Sequence, residues 1–360
     1  MKNWMLGVLL VALAGSAWAG LAEGVAAYDR KDFKVALPEF QQLAKKGHVL
    51  SQVLLGAMYA NGQGTEKNAK EAVRWYREAA MQGHAGAQNV LGERYATGDG
   101  VIQSDEEAVR WFRLASENGK PEAQYNLGLF YEQGRVGLQD NAEAVRLYQL
   151  SADQGYALGQ TQLGAMYARG IGVKQDFGEA ERWFRLAAKQ GQAEAQYGLG
   201  VMYAEGLGVT QNYKEAGHWY RLAAEQGKAD AQYNLALMYA NGMGVTQDKG
   251  EVVRWYRLAA DQGHTSAQYN LGLLYKNGLG VQASSIVAFA LFSLAAEIEV
   301  PNADWIILKA KATASISRRR LLESMDHRQI EAAQELARKM QQGKPIEVLD
   351  TYLKTEALVQ

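Results

Sequence analysis

The stretch Ala231–Val245, AQYNLALMYANGMGV, recurs at a fixed interval along most of the chain. Its Leu235 has a counterpart every 36 residues, and Tyr239 and Gly242 recur in the same register. The equivalent leucines are Leu55, Leu91, Leu127, Leu163, Leu199 and Leu271. Self-similarity at a period of this size is the signature of a repeat array.

The quoted stretch predicts the first helix of each repeat, which we call helix A. Ala231, Leu235 and Tyr239 are spaced four residues apart and therefore share one helical face. Gly242 follows where a helix can end in the left-handed conformation. The pattern predicts an apolar helix that stops at this glycine.

A second helix, helix B, is predicted after the Gly-x-Gly-Val turn. Asp248 is a residue type that caps helix N-termini, and Glu251 three positions later completes the pattern of a capping box, which occurs in six of the seven repeats. Trp255 recurs with the small residues of the apolar face, so we interpret the repeated tryptophans as packing residues. The helix ends at Gly263. Each repeat is thus predicted to be an antiparallel helical hairpin.

The composition agrees with an all-α fold. The chain has 360 residues, 48% of them hydrophobic, and the alternation typical of strands is missing. We predict a right-handed α/α superhelical solenoid of 36-residue, TPR-like hairpins that ends in a C-terminal helical cap. With a net charge of −1, the chain as a whole has no electrostatic attraction for nucleic acid or anionic lipid.

The first 19 residues follow a different pattern. Lys2 precedes the apolar run Met5–Ala14, and Ala17-Trp18-Ala19 is a small-x-small cleavage site. We predict a signal peptide over residues 1–19, cleavage between Ala19 and Gly20, and a periplasmic or secreted mature protein. The run is short for a membrane span, so stable membrane insertion is not expected. The chain has no cysteine for a disulfide or a lipid anchor.

The ends of the array differ from its middle. We predict a shortened N-terminal capping repeat over residues 20–48, seven repeats over 49–302, a helical cap over 303–342 and a tail over 343–360. The cap contains two predicted helices, Ala303–Leu322 and Asp326–Met340, and a capping pair of Asp326 and Gln329 opens the second. The tail has no clear period and is expected to be loosely held.

The combined pattern is A-Q-x-x-L-G-x-x-Y-x-x-G-x-G-V, then a capping residue followed by x-x-E-A-x-x-W-x-x-x-A-A-x-x-G. It resembles the Sel-one-like repeat family, a relative of the tetratricopeptide repeats with a longer turn, over about residues 20–302. The resemblance implies a scaffold or adaptor that binds partners. For exported bacterial members it implies roles in signalling, surface-polysaccharide or motility control, or host-cell interaction, with virulence among them.

No enzymatic motif is present. The chain lacks a Gly-x-Ser-x-Gly elbow, a Ser-x-x-Lys pair, a His-Glu-x-x-His motif and a phosphate loop. Three histidines occupy the same position in separate repeats, where they cannot easily converge on a metal: His48, His84 and His264. We interpret His218 and His327 as structural too. We therefore predict a non-enzyme without cofactor or metal. The alternative from another class is a cell-envelope enzyme such as a cell-wall hydrolase.

Two sets of recurrent arginines lie on helix B. Arg74 follows Glu71 by three residues, the spacing of a surface ion pair, and Arg77 lies one turn further on. We interpret this as a solvated convex face. A regulator that binds through this charged face is the other alternative.

Variation along helix A points to the binding surface. By analogy with tetratricopeptide proteins, the positions two before and two after the repeat leucine face a concave groove. Tyrosine, aliphatic and asparagine side chains occupy these or adjacent positions in the later repeats. The predicted binding residues for a protein or peptide partner are Tyr125, Asn126, Tyr197, Val201, Tyr233, Asn234, Leu237, Tyr269, Asn270 and Leu273. Packing between repeats is the competing explanation for these positions.

Overall fold

The computed structural model describes residues 20–135, 137, 139–297 and 305–359. The predicted signal peptide and the predicted end of the array at residues 299–302 lie outside these ranges. The chain divides into two compact units, Met1–Gln175 and Asp176–Gln360. The described residues contain helices and no strands, which confirms the all-α helical repeat class.

Unit 1 is a series of consecutive helical hairpins. Its helices are α1 (20–29), α2 (Phe33–Lys45), α3 (Val49–Asn61), α4 (Ala69–Met81), α5 (Ala85–Thr97), α6 (Asp105–Glu117), α7 (Pro121–Gln133), α8 (Asn141–Asp153) and α9 (Ala157–Arg169). The short pair α1 and α2 is the predicted reduced first hairpin. From α3 to α16, odd-numbered helices are helix A and even-numbered helices are helix B.

Unit 2 continues the same alternation and adds three helices. Its helices are α10 (Phe177–Lys189), α11 (Ala193–Glu205), α12 (Tyr213–Glu225), α13 (Ala229–Asn241), α14 (Lys249–Asp261), α15 (Thr265–Asn277), α16 (Ser285–Glu297), α17 (Trp305–Leu322), α18 (His327–Gln342) and α19 (Pro345–Val359). Helices α17 and α18 both pack on α16, so they cover the end of the array within this unit.

Glycine ends each helix A as predicted. The residue after each of these seven helices is a glycine with φ between +64° and +77°. At Gly242, φ is +70° and the backbone N–H donates to the Met238 carbonyl. Because side chains with a Cβ are strained in this conformation, the repeat needs glycine at the end of helix A.

The N-termini of helix B are capped, but the prediction of capping boxes in the repeats is wrong. The Asn68 side chain accepts a hydrogen bond from the Glu71 N–H over 3.1 Å, as predicted. The reciprocal bond is absent because the Asn68 N–H donates to the Tyr59 carbonyl over 2.8 Å. The glutamate instead pairs with an arginine. A complete capping box does form between Asp326 and Gln329 at the start of α18.

The recurrent tryptophans of helix B pack in the core, which confirms their structural interpretation. Trp75, Trp111, Trp183 and Trp255 are all buried, and Trp219 is partly buried. In unit 2 a single apolar core runs from Ala216 to Leu349 and joins the repeats to the last three helices.

The prediction of a loosely held tail after Gly343 is wrong. Pro345 opens helix α19, which packs against α14 and α18. Leu349 has no exposed surface, and the Ile346 N–H donates to the Asp261 carboxylate over 3.1 Å. The apolar positions of this helix cover only about two turns, so their period is too brief to stand out in the sequence.

Candidate partner-binding surface

All ten predicted binding residues lie on helices A and are partly exposed. Tyr125 and Asn126 are on α7 in unit 1. Unit 2 holds the other eight on the successive helices α11, α13 and α15. We call these eight the tyrosine face: Tyr197, Val201, Tyr233, Asn234, Leu237, Tyr269, Asn270 and Leu273.

Each tyrosine at the predicted position packs on an aromatic ring of the helix B that follows it. The centroid of Tyr197 lies 5.9 Å from that of Tyr220, and the corresponding separation of Tyr233 and Tyr256 is 5.8 Å. Tyr269 and Phe292 are 5.5 Å apart, and the unit 1 pair Tyr125 and Tyr148 is 6.0 Å apart. One side of each tyrosine ring is therefore covered by an aromatic ring of its own hairpin.

A glycine in helix A allows this close packing. A Cβ placed on Gly200 would lie 2.4 Å from the Tyr220 ring, closer than a real contact permits. The absent side chain lets the helix B ring lie under the helix A backbone, where it supports Tyr197. Helix α13 has Ala236 at the equivalent position and keeps the same ring pair, so the close packing on glycine belongs to particular repeats and not to the whole tyrosine face.

The asparagines connect one repeat to the preceding one. The Asn270 amide donates to the Tyr256 hydroxyl over 3.0 Å, and Asn234 bonds to the hydroxyls of Tyr197 and Tyr220. In unit 1, the Asn126 amide donates to Asn89 over 3.1 Å. The predicted amide donors and acceptors are thus already part of an internal hydrogen-bond network that fixes the rings.

Burial further favours the neutral form of two hydroxyls on the tyrosine face. It is the main cause that raises the pKa of Tyr197 and Tyr233, whereas hydrogen bonds from Asn234 and Asn270 act in the opposite direction. A neutral hydroxyl can both donate and accept a hydrogen bond. The face can therefore contact either kind of polar group on a partner.

Sequence reasoning missed a charged cluster beside these tyrosines. The Lys228 ammonium lies 3.0 Å from the Asp230 carboxylate and 5.3 Å from the centre of the Tyr197 ring. The His264 ring stacks on Tyr233 at 4.6 Å, and its Nε2 lies 3.6 Å from Asp230. The nearby His264 ring, followed by the hydrogen bond from Lys228, lowers the pKa of Asp230 to about 2.

The sequence signal for this cluster is the histidine that recurs immediately before helix A. His264 immediately precedes α15, and its Nδ1 accepts a hydrogen bond from the Ala267 N–H over 3.2 Å. His48 and His84 cap their helices in the same way. Because Nδ1 makes the capping bond, Nε2 of His264 is the ring nitrogen that lies near Asp230. The face of the ring stacks on Tyr233.

The two sets of helix B arginines have different roles. The first set forms the predicted surface ion pairs, such as Arg74 with Glu71 at 3.1 Å and Arg182 with Glu179 at 2.9 Å. The second set is exposed or partly exposed, in keeping with a solvated face, but it also makes contacts that the sequence analysis did not predict. These arginines donate to the repeat tyrosine of the following helix A. The pairs are Arg77 and Tyr95, Arg113 and Tyr131, Arg185 and Tyr203, Arg221 and Tyr239, and Arg257 and Tyr275.

The described residues offer no candidate for a metal site or a membrane span. No group of three or more His, Cys, Asp or Glu side chains in the described ranges could hold a metal ion. None of the helices described is long and apolar enough to cross a bilayer.

Tandem hairpins with a repeated, partly exposed aromatic position define a helical repeat protein of the kind that binds other proteins. The chain belongs to the Sel1 repeat family, whose repeats are protein-interaction modules. The family model matches residues 49–84, 85–120, 121–156, 157–192, 193–228, 229–264 and 265–298.

Two solved structures are similar along most of the chain. A Sel1 repeat protein from Oxalobacter formigenes is 32% identical with a TM-score of 0.63, and the match covers 86% of this chain and 91% of that one. A protective antigen present in uropathogenic Escherichia coli strains, displaying an SLR fold, is 26% identical with a TM-score of 0.59, covering 95% of this chain and 88% of that one. The search of curated proteins gave no match.

Proposed function

We propose that this protein is a non-enzymatic scaffold that binds a protein or peptide through the tyrosine face. One observation carries the proposal. Tyr197, Tyr233 and Tyr269 occupy the same repeat position on three successive helices A, and each is partly exposed while its ring rests on a helix B aromatic. The fold thus presents three aromatic side chains in a regular row within unit 2.

This arrangement suits recognition because the rings are held before a partner arrives. A tyrosine supplies a large contact area and has few rotatable bonds to immobilise, and its packing on a second ring reduces the entropy lost on binding further. Leu237 and Leu273 add partly exposed aliphatic surface beside the rings. Lys228 and Asp230 supply charges at the edge of the tyrosine face. Charged groups at the edge of an interface contribute more to the correct orientation of the partner than to its affinity.

We further propose that the scaffold works in the periplasm or outside the cell. The support is the pattern of residues 1–19, with its apolar run and Ala-x-Ala site. The likeness to a protective antigen is in keeping with an exported protein. A regulatory or host-interaction role would then be exerted through the partner that the tyrosine face selects.

Site-specific photo-crosslinking tests this proposal. One variant carries a photoreactive phenylalanine analogue at Leu237 on α13. The matched control carries it at Leu258 on α14, in the same hairpin but on the outer surface of helix B, where the native side chain is 42% exposed. Irradiation in cells of the native host should give a discrete protein adduct from position 237 and none from position 258.

An adduct from position 258 and none from position 237 would instead indicate that the partner binds the charged helix B face. That alternative is weaker in this structure because its exposed arginines are neutralised by neighbouring glutamates, as in the pair of Arg254 and Glu251 at 3.2 Å. Absence of an adduct from both positions, with both variants folded and exported, would count against a scaffold role for this hairpin.

A further inference from the structure

Helix α17 has an exposed apolar surface unlike that of the repeat helices. Trp305 is 68% exposed, Leu308 56% and Ile316 54%. With Ala312 they are spaced so that all four lie on one face of the helix. Large apolar side chains exposed singly are ordinary, but a group on one face indicates an interaction surface.

The fold does not require this surface. Helix α17 contacts α15 and α16, and it buries Ala314 and Leu321 on its inner side. Trp305, Leu308 and Ile316 lie on the other side. Within the described residues of unit 2, the fold therefore gives no reason for the outer side of α17 to be apolar.

Positive charge is concentrated on the same helix. The segment Trp305–Leu322 contains five Lys and Arg residues and no Asp or Glu. Lys309, Arg319 and Arg320 are exposed and share a face with the apolar residues, and the Lys309 ammonium lies 5.5 Å from the centre of the Trp305 ring. The whole-chain charge of −1 conceals this local excess.

We propose that this surface binds the face of an anionic lipid bilayer. We call it the α17 outer face and define it by Trp305, Leu308, Lys309, Ala312, Ile316, Arg319 and Arg320. A helix that carries tryptophan and aliphatic side chains among lysines and arginines can lie in the membrane interface, where the apolar groups enter the headgroup boundary and the cations meet lipid phosphates. The helix does not cross the bilayer.

Charge complementarity selects an anionic surface, and the mixture of residues favours lipid over an acidic protein. Trp305 and Lys309 are paired at the N-terminal end of α17, and Arg319 and Arg320 follow Ile316 near the other end. Aromatic and cationic anchors of this kind suit the level of lipid headgroups. The tyrosine face lies on other helices, so a scaffold could be held at a membrane and still bind its partner.

Vesicle co-sedimentation with the purified protein tests the proposal. The protein should sediment with vesicles of equal parts phosphatidylglycerol and phosphatidylcholine, remain in solution with phosphatidylcholine alone, and bind more weakly as salt rises. Arg319→Glu combined with Arg320→Glu should weaken binding about tenfold or more, since each basic residue near the surface contributes measurably. Trp305→Ser combined with Leu308→Ser tests the apolar part and should also weaken binding.

The matched control is Arg74→Glu combined with Arg110→Glu, the same charge change at exposed positions of unit 1. Circular dichroism and thermal melting establish that each variant is folded. The control should bind like the wild type. Equal loss in the control, or no sedimentation of wild-type protein with anionic vesicles, overturns the proposal. Binding to soluble polyglutamate without binding to vesicles would assign the surface to an acidic protein instead.

Discussion

Arg257 on α14 forms an ion pair with Asp350 on α19, 93 residues further along the chain. The same arginine donates to the Tyr275 hydroxyl over 3.2 Å, so one side chain connects a repeat to the next helix A and to the last helix of the protein. The Asp350 side chain is 48% exposed, which limits the pair to about 0–1 kcal/mol. Apolar contacts must therefore provide most of the attachment of α19.

Leu349→Ala tests whether α19 is an integral part of unit 2. Leu349 is completely buried, so its truncation should lower the free energy of unfolding by about 2–5 kcal/mol. Leu358→Ala makes the same chemical change on the same helix at a position that is 87% exposed, and it should change stability by less than about 0.5 kcal/mol. Urea denaturation monitored by circular dichroism measures both. Similar small effects for the two variants would mean that α19 is loosely attached.

The left-handed glycine at the end of helix A can be tested with a pair of identical substitutions. Gly242→Ala places a Cβ where φ is +70° and should destabilise the protein by about 1–2 kcal/mol. Gly250→Ala lies in the first turn of α14, where alanine is the better helix former by up to about 1 kcal/mol. Its Cβ would lie 3.2 Å from the Asp248 carboxylate that caps the helix, which offsets part of this gain, so the net change in stability should be small. Thermal melting of both variants is the measurement. A fall in melting temperature for Gly250→Ala as large as for Gly242→Ala would contradict the conformational explanation.

Asp230 should make stability depend on pH in the acid range. Its pKa is lowered from 3.8 to about 2 by the nearby His264 ring and by the hydrogen bond from Lys228. A carboxylate with a depressed folded-state pKa stabilises the protein above its unfolded-state pKa, and that contribution is lost as pH falls from about 4 toward 2. The side chain is 48% exposed, so solvent screening reduces the expected contribution to about 1 kcal/mol or less.

The comparison of wild type with Asp230→Asn isolates this contribution from other carboxylates. Denaturant midpoints should differ near neutral pH, approach each other as pH falls from about 4 toward 2, and converge below that, where the aspartate is protonated in the folded state as well. A difference that stays constant over the whole range would assign the effect of the substitution to packing instead of charge.

The repeat pattern was sufficient to predict the hairpins, because both helix ends carry local signals. Gly242 marks the end of helix A by its backbone conformation, and Asp248 marks the start of helix B by its side-chain cap. These requirements involve residues a few positions apart. Such short-range chemistry is visible in any single copy of the repeat.

Contacts between repeats could not be predicted in the same way. The period gives each repeat the same residues, but it does not say which neighbour they contact. From the sequence alone, Arg77 could form a surface ion pair as Arg74 does. In the structure it donates to the Tyr95 hydroxyl on the next helix A over 2.8 Å. The cluster around Asp230 likewise requires His264, which lies 34 residues later, to stack on Tyr233. The environment of the candidate site is thus set by the packing of successive hairpins.

The tyrosine face itself is tested by truncation of two rings and measurement of partner affinity. Tyr233→Ala combined with Tyr269→Ala removes two of its three aromatic side chains. If these are binding hot spots, the affinity for the crosslinked partner should fall by about 2–4 kcal/mol or more. The far-UV circular dichroism should remain helical, although loss of the contacts with Tyr256 and Phe292 should lower the melting temperature.

A second variant and a control separate binding from stability. Leu237→Ser combined with Leu273→Ser changes partly exposed aliphatic groups on the same face and leaves the ring pairs in place. Tyr213→Ala removes an exposed tyrosine at the start of α12 and should bind normally. Isothermal titration calorimetry should rank both double variants as weak binders. Wild-type affinity in both, with folding preserved, would exclude the tyrosine face and make the charged surface of helix B the better candidate, because exposed arginines recur on helix B in both units.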